Sequence, residues 1–451
     1  MSAVQQRSDW FLGGGFWLAF DFGAGAGALL LAYAVAPDLE WGWRASFPGQ
    51  PGAYPAALFF GALLTLSADI AGLHDASAQR RPLPVLLRVA VTILIALVAA
   101  LVVLYLAALQ QLGRTVFAQT LVLAALAMGG ARLLFHRIEG ASRRRLLVLL
   151  APAARDRLRA RIEDSGLPFR VADVPDSLNA ETEGERLLDL CGKLRIDELV
   201  VPEGHGRPED PPPPWMRCLE AGLQVTHHGA FMERYFSQVE VSAVGPDWFL
   251  ELDLRLTHPV YHRWKRFSDL VLSGFGLLAG AVVLPPVLLA IWIESGRPFF
   301  FRQERVGLRG STFRIWKLRT MRERRGDDDR ELPRAKDPRI TRIGYLLRRT
   351  RLDELPQMWN IFRGDMSFIG PRPDWTDEAA DLRDRVPYHH FRTLVKPGLT
   401  GWAQINYGYA QTDEEVREKL GFDLYYLKHA SVLLDLQILL RTIGAISRGA
   451  R

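Results

Sequence analysis

The run Leu270–Ile293, LVLSGFGLLAGAVVLPPVLLAIWI, decides how this chain is laid out. At about 1.5 Å of rise per residue it is long enough to cross a hydrocarbon core of roughly 30 Å. Two features argue against a crossing. Pro285 and Pro286 each remove a backbone donor and crowd the preceding turn, so a break is expected there. Cations also flank the run on both sides: His262, Arg263, Lys265 and Arg266 precede it, and Arg297, Arg302, Arg305 and Arg309 follow it. Positive charge marks the cytoplasmic side of a membrane segment, so charge at both ends favours arrival and departure on one face. The expectation is a re-entrant membrane helix over about residues 265–293.

The chain before this run has the texture of a membrane bundle. Four apolar segments, about Trp10–Ala36, Ala53–Leu73, Pro84–Leu109 and Thr115–Phe135, are each long enough to span. Arg80 and Arg81 lie between the second and third, Arg88 lies near the start of the third, and Arg137 with Arg143–Arg145 follow the fourth, whereas the first loop holds only Asp38, Glu40 and Arg44. Both ends of a four-helix transmembrane bundle, residues 1–141, are therefore expected in the cytoplasm. A single Arg before the first run and no small-residue cleavage site after it read as a retained helix rather than a signal peptide. Asp21 and Asp69 within the bundle read as helix-end or bundle contacts rather than a transport path.

Composition agrees with a mixed membrane and soluble chain. Of 451 residues, 49% are hydrophobic and 24% charged, and the two kinds are separated into blocks. The net charge of +6 comes from arginines beside apolar runs, where an anionic bilayer surface would attract them. No helix-turn-helix, zinc-finger or RNA-binding pattern accompanies them, which argues against nucleic acid. Cys191 and Cys218 have no metal-ligand spacing and suit a reducing compartment.

Residues 142–240 read as a small Rossmann-like parallel α/β domain. The strands are Arg145–Leu150, Phe169–Ala172 and Glu198–Pro202, and the helices are Ala153–Ser165 and Glu183–Lys193. The turn Ala151-Pro152-Ala153-Ala154 lacks the glycines that let backbone N–H groups approach a pyrophosphate, so a structural or regulatory role is expected. His227 and His228, adjacent on an expected strand, would point to opposite faces and share no metal. Residues 241–260 are expected to be connecting strands. Residues 261–451 are expected to form a mostly α catalytic domain. In it, Ile340–Leu352 and Phe422–Ile446 border apolar faces with cations and read either as interfacial amphipathic helices or as core-facing ones. The acidic loop Gly326–Leu332 is a weak candidate for metal.

The candidate chemistry lies in Leu352-Asp353-Glu354-Leu355-Pro356-Gln357, between Arg348-Arg349-Thr350-Arg351 and Gly370-Pro371-Arg372-Pro373. An ionised Asp can attack phosphorus, and a neighbouring Glu can hold Mg²⁺, which takes one or two carboxylates and completes its shell with substrate phosphates. Arginines bind phosphoryl oxygens in a bidentate manner. Both acids are expected to be ionised at neutral pH, and Pro356 to mark the first turn of a helix.

These residues also resemble a known family. Lys336-Asp337-Pro338-Arg339-Ile340-Thr341-Arg342-Ile343-Gly344, the Leu347–Gln357 stretch, Gly364–Pro373 and Lys396-Pro397-Gly398-Leu399-Thr400-Gly401-Trp402 resemble the bacterial sugar transferases that act as polyprenyl-phosphate hexose-1-phosphate transferases. The preceding bundle and α/β domain resemble the long form of these monotopic phosphoglycosyl transferases. The resemblance implies an enzyme of the bacterial cytoplasmic membrane with its catalytic domain on the cytoplasmic face. It would pass a sugar-1-phosphate from a nucleoside-diphosphate sugar, usually a UDP-hexose, to polyprenyl (undecaprenyl) phosphate and release UMP, starting polysaccharide assembly. By motif position it implies Asp353 as nucleophile, Glu354 as Mg²⁺ ligand, Arg348 on substrate phosphate, and Arg372, between Pro371 and Pro373, on the nucleotide. It implies Lys265, Arg266 and Asp269 as anchors of the re-entrant helix and Pro285-Pro286 as its break. Arg351 stands where the family often has Ser. The long form is compatible with a homodimer. The other readings are a glycosyltransferase that releases UDP and a non-catalytic membrane regulator.

Overall fold

A computed structural model describes residues 14–35, 53–71, 73, 82–106, 114–141, 144–165, 167–173, 184–203, 212–245, 248–249, 259–322, 337, 339–408 and 410–447. The acidic loop Gly326–Leu332 and the first loop with Asp38, Glu40 and Arg44 lie outside them. Two compact units divide at Phe231/Met232.

The first unit opens with four apolar helices: α1 (Gly14–Val35), α2 (Ala53–Ile70), α3 (Pro82–Leu106) and α4 (Arg114–Ala141). Helix α1 packs on α2 and α4, and α3 packs on α2 and α4. Leu29, Phe60, Leu64, Ala68 and Met128 are buried between them. Asp21 is not at a helix end. Its carboxylate takes both forks of Arg132 from α4, at 2.8 and 2.7 Å, and the guanidinium lies 4.4 Å from the centre of the Trp17 ring. Both charges are fully buried, and such a pair is tolerated only because each completes the other. Of the described helices, Val116–Phe135 and Pro259–Ser295 contain stretches long and apolar enough to cross a membrane by length and composition; Phe16–Ala32, Ala56–Ile70 and Val85–Leu101 are shorter apolar helices.

The same unit continues into a four-stranded parallel sheet. Its strands are β1 (Arg144–Val148), β2 (Phe169–Val171), β3 (Glu198–Val201) and β4 (Gln224–His227), in the order β2-β1-β3-β4. Helices α5 (Pro152–Ser165), α6 (Gly184–Leu194) and α7 (Met216–Glu220) supply the crossovers that parallel pairing requires. Pro152 opens α5, a position where a missing N–H leaves no bond unmade. His227 ends β4, and its Nδ1 lies 3.2 Å from the Pro202 carbonyl oxygen. His228 begins α8 (His228–Phe236), a helix that straddles the unit boundary. Of the expected connecting strands at 241–260, the described part has a 3₁₀ turn at Val241–Ala243 and no strand, and the rest lies outside the described residues. Phe231, Met232, Tyr235 and Phe236 of α8 are buried in a helical rhythm, not a strand's alternation.

The second unit is built along α9 (Pro259–Ser295), which is continuous and carries Pro285 and Pro286 inside it. The expected break is thus not a break in secondary structure. Both prolines are exposed, so their rings point away from the packed side. Opposite sides of α9 do different work. Val260, Trp264, Phe267, Val271, Phe275, Leu278, Val282, Leu289 and Ile293 form one exposed apolar stripe at helical spacing. On the other side Lys265 bonds Asp435 at 2.9 Å, Asp269 accepts from Ser367 Oγ and the Phe368 N–H at 3.0 Å each, and Ile291 packs with Leu318 and Leu347. Near its C-terminus, Glu294 accepts from the N–H groups of Arg342 and Ile343 at 2.7 and 2.8 Å, capping the helix α10 (Arg342–Thr350). Arg266 donates to the carbonyls of Ile361 and Phe362. The sequence-derived anchors Lys265, Arg266 and Asp269 therefore grip protein groups.

Against α9 stand the antiparallel hairpin β5 (Phe300–Val306) and β6 (Thr312–Leu318), the helix α11 (Gln357–Arg363), and the short parallel pair β7 (Ser367–Ile369) and β8 (Gly398–Thr400). A Cβ at Gly370 or Gly398 would overlap neighbouring backbone, so only glycine lets the chain after β7 lie against β8. Helices α12 (Thr376–Arg385), α13 (Trp402–Asn406), α14 (Asp413–His429) and α15 (Val432–Ser447) complete the unit. The stretch Phe422–Ile446 is two helices meeting at Ala430 and Ser431, and Leu424, Leu427, Leu434 and Ile438 are core residues. Of its two readings the core-facing one holds for these residues, because Leu424, Leu427, Leu434 and Ile438 fill a cluster with Trp402 and Val386, while Leu440 is exposed.

Candidate active site

Helix α10 ends at Arg351, whose left-handed backbone (φ 58°) turns the chain into a 3₁₀ turn at Leu352–Glu354. Leu355 and Pro356 keep right-handed helical angles, so the turn runs into α11. This sharp bend places both acids at a helix start and buries them: Asp353 is 9% and Glu354 8% exposed. They meet different surroundings. Glu354 Oε1 receives Lys317 Nζ at 3.1 Å, with Arg372 Nη2 at 3.6 Å and Arg351 Nη1 at 3.9 Å. Asp353 Oδ1 is buried with no hydrogen-bond partner among the described residues.

The electrostatics follow the contacts. Burial, with the neighbouring Glu354 charge, raises the Asp353 carboxyl above the ordinary aspartate value, and Lys317, Arg348 and Arg351 pull the other way. Burial alone would also raise Glu354, but Lys317, Arg372 and Arg351 outweigh it and hold that carboxyl low. Burial lowers Lys317, opposed by Glu354. The two neighbours are thus driven apart, the pattern expected of two acids with two roles.

Of the residues singled out from sequence, Asp353, Glu354 and Arg372 come together directly. Arg348 touches neither carboxylate; its Nε donates to Thr320 Oγ1 at 2.9 Å and it acts on Asp353 through space. Arg372 is presented by a loop whose carbonyls are held one after another. Arg392 Nη2 donates to Arg372 O at 3.0 Å, Arg305 Nη1 to Pro373 O at 3.0 Å, and the Val306 N–H to Asp374 O at 3.0 Å. Pro371 O accepts from the Gly398 N–H at 2.9 Å. Arg392 is itself clamped by Asp374 at 2.5 Å and Asp423 at 2.8 Å.

Sequence reasoning missed Lys317, Arg392, Asp374 and Asp423. A signal for Lys317 was present: Phe313, Ile315 and Lys317 share one face of β6, so a lysine follows two apolar inward positions. Arg392, Asp374 and Asp423 are far apart in sequence and no local pattern joins them. No cluster of three or more His, Cys, Asp or Glu side chains suited to a metal occurs among the described residues. The acid pair alone offers two carboxylates, a donor set that fits a magnesium ion completed by water and substrate phosphates and not a closed protein cage.

A family model described as bacterial sugar transferase matches residues 260–449. A UDP-glucose:undecaprenyl-phosphate glucose-1-phosphate transferase of Caulobacter vibrioides is 40% identical over 184 residues, covering 40% of this chain and 69% of that protein. The chain belongs to the bacterial sugar transferase family. A UDP-N-acetylgalactosamine-undecaprenyl-phosphate N-acetylgalactosaminephosphotransferase of Aeromonas hydrophila is 34% identical over 277 residues, 58% of this chain and 62% of its own length. An Escherichia coli K12 protein with the same name as the Caulobacter one is 39% identical over 190 residues, 41% of each chain. This family member thus spans less than two thirds of those last two relatives, and the family match over residues 260–449 takes in the acid pair and all of α9 but its first residue.

Proposed function

We propose that this family member transfers a sugar-1-phosphate from a UDP-sugar to undecaprenyl phosphate, releasing UMP, through a covalent intermediate on Asp353. The observation that carries the reading is the divided acid pair: Glu354 is neutralised by three cations, while Asp353 keeps a buried oxygen with no partner among the described residues. The names of the relatives, two of which specify UDP-glucose and one UDP-N-acetylgalactosamine, support the substrate class and leave the sugar open.

In the first step an Asp353 oxygen attacks the sugar-bearing phosphorus and the bond to UMP breaks; in the second a phosphate oxygen of the lipid attacks and the carboxylate departs. Lys317, Arg351 and Arg372 supply positive charge where phosphoryl oxygens must be stabilised. Glu354 would be the carboxylate that holds Mg²⁺. When bound, the ion would neutralise charge on the diphosphate. Residues Arg348 and Arg372 are assigned to substrate phosphate and nucleotide.

Both ends of α9 are bonded to one compact unit, Lys265 to Asp435 and Glu294 to α10, while an apolar stripe runs outward along its length. A segment crossing the bilayer would carry its two ends into opposite water phases, where one compact polar unit could not bond both, so this arrangement supports a helix that meets the membrane from one side. With the charge pattern of the first helices, the reading puts the acid pair on the cytoplasmic face.

The test is a nucleotide-sugar panel with Mg²⁺ and undecaprenyl phosphate. Release of UMP is expected, and release of UDP would replace this reading with direct glycosyl transfer. Asp353→Asn should lower turnover by more than about 10⁴-fold and abolish labelling of the protein by the phosphosugar; retained labelling would remove Asp353 from the nucleophile's role.

A further inference from the structure

Helix α11 and the turn before it carry a buried polar stripe. Asp353, Gln357 and Asn360 recur at helical spacing, and the angles of Leu355 and Pro356 keep the helical path between them, so Gln357 stands one turn beyond Asp353 on the same face. Asn360 is fully used: its Oδ1 accepts from the Trp316 N–H at 3.2 Å, and its Nδ2 donates to Arg314 O at 2.8 Å and Asp365 Oδ2 at 3.3 Å. Gln357 is just as buried, at 2% exposure, yet its Nε2 has no hydrogen-bond partner among the described residues. The orphaned Oδ1 of Asp353 lies on the same stripe, and the two do not bond each other. A buried donor left unmade is costly, and native proteins keep few of them.

We infer that Gln357 is a catalytic residue whose side-chain amide donates to a non-bridging oxygen of the phosphoryl group passing through Asp353. The inference rests on the phosphosugar-transfer reading above. The group to be bound must accept a hydrogen bond beside a carboxylate nucleophile, and an anionic phosphoryl oxygen satisfies both demands. In each step one P–O bond forms and one breaks. Asp353 bonds phosphorus as UMP leaves with the electron pair, then lipid phosphate bonds phosphorus as Asp353 leaves. The amide gives a hydrogen bond and transfers no proton.

The test uses the full chain in phospholipid nanodiscs and follows single-turnover UMP release, in Mg²⁺, from the UDP-sugar that the panel selects. Gln357→Met keeps the volume and removes the donor. Its covalent step should slow by about 10²-fold or more, the effect of deleting one transition-state donor, with KM little changed and melting temperature unchanged or higher. Gln357→Glu, of the same shape but without the donor, should be at least as slow. Three results overturn the inference: a wild-type rate in Gln357→Met, a change confined to KM, or a fall in melting temperature that accompanies the loss, which would mean the amide is partnered within the fold. If the wild-type chain itself releases no UMP, the parent reading fails and this one with it.

Discussion

Two buried charge clusters in the second unit are made of the same groups and differ in one respect. Around Arg392 two carboxylates, Asp374 and Asp423, and the Arg372 carbonyl take up the guanidinium's forks. Burial would raise Asp374, but Arg392 and His389 overcome it and hold that carboxyl low; burial pushes His389 down to about 4. Around Glu354 the proportions reverse: three cations crowd one carboxylate, and Asp353 beside it has an oxygen with no partner among the described residues. In the first cluster both carboxylates are paired with the guanidinium, though its Nε has no partner among the described residues, and the pairing holds a loop in place. The second is left open with surplus positive charge, which suits a group that arrives with negative charge of its own. A carboxylate oxygen with no partner among the described residues, beside an excess of cations, separates the candidate site from its scaffold.

The largest effect that could break this comparison is Arg392→Met. It leaves Asp374 and Asp423 buried and unpaired, and should destabilise the fold by about 3–5 kcal/mol, read as a lower melting temperature. A near-normal melting temperature would show that the two carboxylates do not depend on Arg392 in the way their distances suggest.

A smaller effect is expected at Lys317→Met, about 1–3 kcal/mol from the lost charge-assisted bond. This variant also tests pH behaviour. Glu354 is depressed in the folded state, so its contribution to stability is present above its ordinary value of 4.5 and lost as pH falls through the lower folded value. Removing Lys317, its largest stabiliser, raises the folded value and should move that acid loss to higher pH. Asp353 has the opposite sign: its carboxyl is raised, so its contribution is present below the ordinary 3.8 and lost as pH rises through the folded value. Because the nucleophile must be ionised, the acid limb of kcat/KM should lie above the ordinary aspartate value. A limb at or below that value would contradict the burial of Asp353.

The smallest effect sharpens the comparison. Arg385 and Asp413 approach to 2.8 Å, as close as Arg392 and Asp423, but both are exposed. Arg385→Ala should change stability by no more than about 1 kcal/mol, measured by denaturant titration. A loss as large as that of Arg392→Met would show that pairing distance, not burial, sets the cost.

Much of the local structure was legible in the residues. The apolar runs, the strand and helix alternation after Arg144, and the helix start at Pro356 all follow from composition and period, which act within a few neighbours. The acids and Arg372 were legible too, because they sit inside long contiguous motifs. Where local rules pointed wrongly, packing had overruled them. Pro285 and Pro286 read as a break, yet both prolines face outward and α9 continues through them. Phe422–Ile446 allowed an interfacial face, yet Leu424, Leu427, Leu434 and Ile438 fill a core.

The sequence by itself determined the family motifs, the apolar segments and the pair Asp353-Glu354, since each is a property of neighbouring residues. Only the tertiary structure decided that Lys317 reaches Glu354 from the hairpin, that Arg392 holds the loop of Arg372 from a distant segment, and that Gln357 is buried with an unused donor while Asn360 is not. The reason is physical: the cost of a buried charge or amide depends on what surrounds it, and the surroundings are brought by parts of the chain that share no local pattern.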